Sequence, residues 1–287
     1  MGSSNRMQMT LAEEISAPPW WMALAEVPRS VFELAAVPLA TPVLSTALRG
    51  DGHPVLVVPG FSAGDASTAV LRTYLGWLGY SVYGWDLGRN MGWRVAGRGA
   101  EALSARLHAI REASGEKVSI VGWSLGGIMA RQQARQHPGD VRQVVSIGAP
   151  FTGNPHASSI SGLYEQLSGE TVDGAFMRSV MAESRKCPPV RATAIYSRSD
   201  GIVAWENCIE VETGLAENIE VVASHCGMMF NPAVLYALAD RLALPEEGWE
   251  PFDRSGWRSI VYPPPVARAT GPISRTNARD RRSTPIS

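Results

Sequence analysis

One short stretch of this chain admits few backbone solutions. The β-branched run Val118-Ser-Ile-Val121 passes directly into Gly122-Trp-Ser-Leu-Gly126 and then into a helical pattern carrying Leu125, Ile128 and Met129. A strand that turns at once into a helix leaves one residue at the apex with strained backbone angles, and its side chain projects clear of the sheet. Small residues are needed on both sides of the apex, because the chain there passes close to itself. Ser124 is that apex residue. Its hydroxyl also sits at a helix N-terminus, where free N–H groups and the helix dipole favour developing negative charge.

Strands alternate with helices on either side of this unit. Val55-Leu-Val-Val58 is a continuously apolar run, as expected of a parallel strand covered on both faces. Leu71, Tyr74, Leu75 and Leu78 form a helical stripe, and Tyr80–Trp85 reads as the next strand. A helix follows over 100–113, and further strands over 141–147, 190–196 and 219–222. Asn231-Pro232 then opens a closing helix that runs to Leu242. This rhythm predicts an α/β fold with a doubly wound, mainly parallel sheet. The spacing divides the chain into a leader with short helices (1–49), an α/β domain that contains the elbow (50–262) and a disordered Pro-, Ser- and Arg-rich tail (263–287). Residues 151–189 interrupt the rhythm with two short apolar stripes that include Leu167, Phe176, Met177 and Met181, the pattern of a small helical cap.

A serine nucleophile needs a base, a group that orients the base, and an oxyanion hole. In an open parallel sheet these partners come from just beyond the carboxyl ends of later strands. Asp200, in Tyr196-Ser-Arg-Ser-Asp-Gly201, and His225, in Ser224-His-Cys-Gly227, have those positions. Gly122-Trp-Ser-Leu-Gly126 fits the Gly-x-Ser-x-Gly nucleophile elbow of serine hydrolases, and Ser124, Asp200, His225 follow the chain order found with that elbow. One oxyanion donor is expected from the N–H of Leu125 and the second from Phe61, in the loop Pro59-Gly60-Phe61 after the first strand. Trp123, Phe176, Met177 and Met228 are candidate substrate contacts.

These residues resemble the α/β-hydrolase superfamily, nearest to bacterial serine lipases and carboxylesterases, over roughly residues 50–243. The resemblance implies the α/β-hydrolase fold, the triad Ser124/Asp200/His225 and cleavage of carboxylic esters through an acyl-enzyme. Pro59-Gly60 stands where such lipases often carry His-Gly, a departure that leaves a backbone donor intact. An acyltransferase or thioesterase using the same triad, or a non-catalytic binding protein on the same fold, remains an alternative. No metal or organic cofactor is implied.

Net charge of −1, from 26 basic and 27 acidic residues, gives no electrostatic case for nucleic acid. No uninterrupted run of 18 apolar residues exists, so no transmembrane segment is expected. The first ten residues lack the pattern of a secretory signal, which makes a cytoplasmic location the default; a chain already relieved of its signal would read the same. The Trp-rich segment from Trp20 to Val37 reads as two short helices broken at Pro28. They either pack on the body or make transient contact with a lipid surface. The three cysteines suit no zinc site. If any pair is bridged it is expected to be Cys208–Cys226, since their loops carry the acid and the base; three reduced thiols are the alternative.

Overall fold

The computed structural model describes residues 15–154, 156–159, 161–264 and 266. Its centre is a six-stranded, all-parallel sheet of order β2-β1-β3-β4-β5-β6. The strands are β1 (Pro54–Val58), β2 (Ser81–Gly84), β3 (Val118–Trp123), β4 (Val141–Ile147), β5 (Arg191–Tyr196) and β6 (Ala216–Glu220). The continuous apolar run of β1 is buried along its whole length, and β3 and β4 along nearly all of theirs, because helices cover both faces. The strand order reverses beside β1, so a crevice opens at the carboxyl ends of β1 and β3.

Helices α2 (Ala69–Leu78) and α8 (Pro232–Leu242) belong to the core on one face. On the other face lie α3 (Trp93–Ala96), α4 (Glu101–Ser114) and α5 (Leu125–Gln136). The Asn231 side chain accepts from the N–H groups of Ala233 and Val234, with Pro232 in the first helical position, as its sequence predicts. The cap consists of α6 (Ser161–Ser168) and α7 (Ala175–Ser184), followed by the link to β5. Arg131 of α5 anchors its far end, donating to the carbonyls of Ser184 and Lys186 while pairing with buried Glu210 at 2.6 Å. A short helix α9 (Arg258–Val261) precedes Tyr262, which is buried against Phe252.

Two expectations differ from the structure. The last strand is Ala216–Glu220 rather than 219–222, and Val222 is exposed. Its buried residues include Glu217, Asn218 and Glu220, so it carries almost no apolar signature; Glu217 is held by Arg241 at 2.5 Å and Glu220 by the Tyr196 hydroxyl at 3.0 Å. The second difference is at the N-terminus, where one 25-residue helix, α1 (Trp20–Leu44), runs through Pro28, Pro38 and Pro42. It is long and apolar enough to cross a membrane by length and composition, with a mean hydropathy of 1.2. Its three charged residues nevertheless lie against the body, as described below. Residues 1–14 and 267–287 lie outside the described residues, and with them the start of the expected leader and most of the expected tail.

Candidate active site

The elbow has the strained geometry that its sequence requires. Ser124 has φ 54° and ψ −123°, a left-handed backbone conformation for a residue with a side chain. A Cβ on Gly122 would strike the backbone of Gly126 and Gly127. One on Gly126 would strike the carbonyls of Val58 and Pro59. The two motif glycines therefore let β3, α5 and the end of β1 meet around the serine. The Ser124 N–H donates to the Ile147 carbonyl at 2.8 Å, tying the apex to β4.

Three side chains converge here. His225 Nε2 lies 3.0 Å from Ser124 Oγ, and His225 Nδ1 lies 2.6 Å from Asp200 Oδ2. All three residues are buried. Asp200 is fixed in turn, since its Oδ1 accepts from the N–H groups of Ile202 and Val203, both at 2.8 Å. Burial alone would push the His225 imidazole down. The Asp200 charge, the Asp200 hydrogen bond and the Glu26 charge together outweigh it, and the pKa lies above the ordinary histidine value. This is the arrangement for accepting a hydroxyl proton and stabilising the imidazolium that results.

The loop Pro59-Gly60-Phe61 lies against the elbow. A Cβ on Gly60 would stand 3.2 Å from Ser124 Cβ and 3.0 Å from the Trp123 ring. Among the described residues, no acceptor takes the Phe61 N–H, and Leu125 heads α5, where an N–H has no intrahelical partner. Both free donors flank the serine.

Ser124 forms part of the wall of a cleft enclosing about 600 Å³, part of it open to solvent. Phe61, Leu125 and Ile128 line it from the body. The cap contributes Tyr164, Val172, Met177 and Met181, so the wall is almost wholly apolar. Among the expected substrate contacts, Met177 faces this cleft and three residues do not. Phe176 turns outward to pack edge-on against Trp93 beneath the Arg98 guanidinium. Met228 is fully buried in the core beside Gly148. Trp123 packs behind the histidine, its Nε1 donating to the His225 carbonyl at 3.1 Å. Tyr164 and Val172 line the cleft without having been among the expected substrate contacts. Tyr164 belongs to the apolar stripe of α6, but only the fold shows that it stacks edge-on with Phe61.

The expected Cys208–Cys226 bridge is absent, and all three cysteines are free. Cys208 is buried in a small apolar cluster with Tyr196, Ile202 and Ile209, its thiol directed at the Ala204 carbonyl. Cys226 is instead held beside Glu26 of α1, whose carboxylate accepts its N–H. Among the described residues, one group of metal-ligating side chains comes together: His108, His137 and Asp140, with ligand atoms within 4.8 Å of one another. It lies where α5 ends and β4 begins, at the opposite end of the sheet from Ser124.

The alpha/beta hydrolase fold family matches residues 54–184. Solved structures with the same fold include Aspergillus fumigatus lipase B, at 20% identity and a TM-score of 0.52, over 67% of this chain and 53% of that one. Bacillus licheniformis lipase BlEst2 in mature form matches at 18% identity and a TM-score of 0.51, over 67% of this chain and 92% of the lipase. A Paleococcus ferrophilus monoacylglycerol lipase matches at 16% identity and a TM-score of 0.50, over 67% and 96% of the two chains. The match thus spans about half the length of the Aspergillus lipase. No curated protein is similar to this chain. The chain has the α/β-hydrolase fold and resembles that superfamily; on the fold it carries an elbow serine with a histidine and an aspartate in hydrogen-bonded series.

Proposed function

We propose that the protein is a serine hydrolase of carboxylic esters, an esterase or lipase acting through an acyl-enzyme on Ser124. The observation that carries this reading is the unbroken line from Ser124 Oγ to His225 Nε2 at 3.0 Å and from His225 Nδ1 to Asp200 at 2.6 Å, opening onto an apolar cleft. Ser124 Oγ attacks the ester carbonyl as His225 takes its proton. The N–H groups of Phe61 and Leu125 stabilise the tetrahedral oxyanion, a contribution of about 3–4 kcal/mol per donor in comparable sites. His225 then protonates the departing alcohol. Water, activated by the same histidine, releases the acid and regenerates the serine. The walls formed by Ile128, Val172, Met177 and Met181 suit an acyl chain and offer nothing to a charged one.

The outer face of α1 supports a lipid surface as the setting. Every exposed side chain from Trp20 to Val43 is apolar except Thr41, with Phe32 76% and Leu39 84% exposed. Removing such side chains from water is worth about 1.5–3 kcal/mol each, so partial insertion of a few gives reversible adsorption. The single basic residue of α1, Arg29, is turned to Ser199 on the body, and neutral phosphatidylcholine vesicles should therefore serve as well as anionic ones.

A fluorophosphonate probe, with a series of p-nitrophenyl esters as substrates, tests the chemistry. The probe should label Ser124, and Ser124→Ala should abolish turnover while the fold is kept. Residual activity within about tenfold of the parent would sink the nucleophile assignment.

A further inference from the structure

Helix α1 is amphipathic in the unusual sense, with its charges turned inward. Glu26, Arg29 and Glu33 recur at i, i+3 and i+7 on one face, and that face meets the two loops carrying the triad acid and base. Glu26 is only 2% exposed. Its Oε1 accepts the Gly201 N–H at 2.8 Å and its Oε2 accepts the Cys226 N–H at 2.9 Å. Arg29 donates to the Ser199 carbonyl at 2.5 Å and to the Ser199 hydroxyl at 2.8 Å. Glu33 accepts from the Ser224 N–H at 2.6 Å and from its hydroxyl at 3.1 Å. Asp200 thus has both chain neighbours tied to α1, and so does His225.

We propose that Glu26 is a positioning residue for the triad: its carboxylate joins the acid loop to the base loop, with Arg29 and Glu33 holding the residue on the other side of each. The inference rests on the reading of Ser124, His225 and Asp200 as the triad.

Two glycines point the same way. A Cβ on Gly201 would lie 2.9 Å from Glu26 Oε1 and collide with the Met22 carbonyl. A Cβ on Gly227 would overlap the Glu33 carboxylate and come within 2.6 Å of Ser224 Oγ. Neither glycine has a positive φ, so what each supplies is room for α1. Burying a carboxylate is costly, whereas an apolar side chain at position 26 would pack without that penalty. Two charge-assisted bonds to backbone offset the cost and fix the separation of two loops that no disulfide joins.

The arrangement also has an electrostatic consequence. Glu26 faces Arg29 on its own helix at 3.8 Å, and Asp200, His225 and Cys226 from the two loops; Glu33 stands further along against Ser224. Burial pushes the Cys226 thiol up, and the nearby Glu26 carboxylate takes it further, to about 12. The same charge favours the His225 imidazolium.

Glu26→Gln provides the test. The amide keeps one acceptor but turns N–H donors toward the second backbone N–H, so one bond becomes a clash. With p-nitrophenyl butyrate, kcat should fall about tenfold to a hundredfold while KM stays within about twofold. The acidic limb of the kcat/KM profile should move to lower pH, because the charge that favoured the imidazolium is gone. Glu26→Asp should restore the limb without restoring kcat, since the shorter side chain cannot reach both loops. If Glu26→Gln does not fold, Gly201→Ala decides: its methyl wedges α1 from the acid loop, and kcat should drop with KM nearly unchanged. A folded Glu26→Gln, or in its absence a folded Gly201→Ala, with the parent's kcat and pH profile overturns the proposal. Ser124→Ala is assayed in parallel. Turnover surviving in Ser124→Ala overturns the triad itself, whereas its loss beside a parent-like Glu26→Gln overturns the positioning role alone.

Discussion

Replacing Asp200 by Asn should silence the site through the tautomer of His225, and the hydrogen bonds around Asp200 set the size of the effect. Asp200 Oδ1 accepts two backbone N–H groups at 2.8 Å while Oδ2 faces His225 Nδ1. In the asparagine variant the oxygen must stay with the two N–H donors, which turns the amide NH₂ toward Nδ1. The imidazole then carries its proton on Nε2, and nothing remains to accept the proton of Ser124. Flipping the amide would restore the useful tautomer but leave two buried N–H groups facing a donor. At about 1–3 kcal/mol each, that flip costs about 2–6 kcal/mol, so the competent form is reduced roughly 30-fold to 10⁴-fold. Single-turnover assays at neutral pH should show a loss in that range. Asp200→Ala should be less stable, because Ile202 and Val203 lose their acceptor, yet no less active than the asparagine variant. A loss of less than about fivefold in Asp200→Asn, with a normal melting temperature, would refute the tautomer argument.

The remaining predictions test the base, the cleft and the thiols. Because His225 must be neutral to act as a base and its pKa is raised, kcat/KM should climb with pH through a midpoint above the ordinary value of about 6.5; a midpoint below it would contradict the dominance of Asp200 and Glu26 over burial. Met177→Ala should shift the preferred acyl chain length in an ester series, whereas Phe176→Ala should lower thermal stability at unchanged preference, having lost its contacts to Trp93 and Arg98. Thiol titration in denaturant without reductant should count three, and a count of one would establish the bridge that the structure lacks.

What could be read from the sequence divides along physical lines. Local rules are visible in it. The elbow needs small residues around Ser124, a continuous apolar run marks β1, Val- and Ile-rich segments mark β3 and β4, and Asn231-Pro232 starts α8. Ser124, Asp200 and His225 could be picked out because sheet topology places them at strand ends. Packing direction was hidden. Phe176 and Met177 are adjacent in one apolar stripe, and only the helix phase decides that Met177 roofs the cleft while Phe176 turns to Trp93. The last strand was misplaced because an ion pair from Glu217 to Arg241 and a hydrogen bond from the Tyr196 hydroxyl to Glu220 stand where an apolar signal would be. In α1, Pro28 read as a break, yet it falls on the exposed face of a continuous helix whose charged residues are satisfied across the fold.

That helix leads to a last prediction about surface docking. A surface can change the chemistry only by binding two conformations differently. The polar face of α1 already makes its contacts with Ser199, Gly201, Ser224 and Cys226 in the free protein, so adsorption through the opposite face adds no bond to the acid or base loop. Docking should therefore concentrate the protein where lipid esters are and leave Ser124, His225 and Asp200 as they were. With phosphatidylcholine vesicles added, the protein should co-sediment, and the kcat for a soluble ester such as p-nitrophenyl acetate should stay within about twofold. Apparent KM for an ester dispersed in the vesicles should fall. Phe32→Ser together with Leu39→Ser should abolish both co-sedimentation and the KM effect while sparing soluble-ester turnover. A large rise in soluble-ester kcat on vesicles would show that α1 is not already seated. Vesicle-independent self-association, lost in the same double variant, would assign the apolar face to a second copy of the chain.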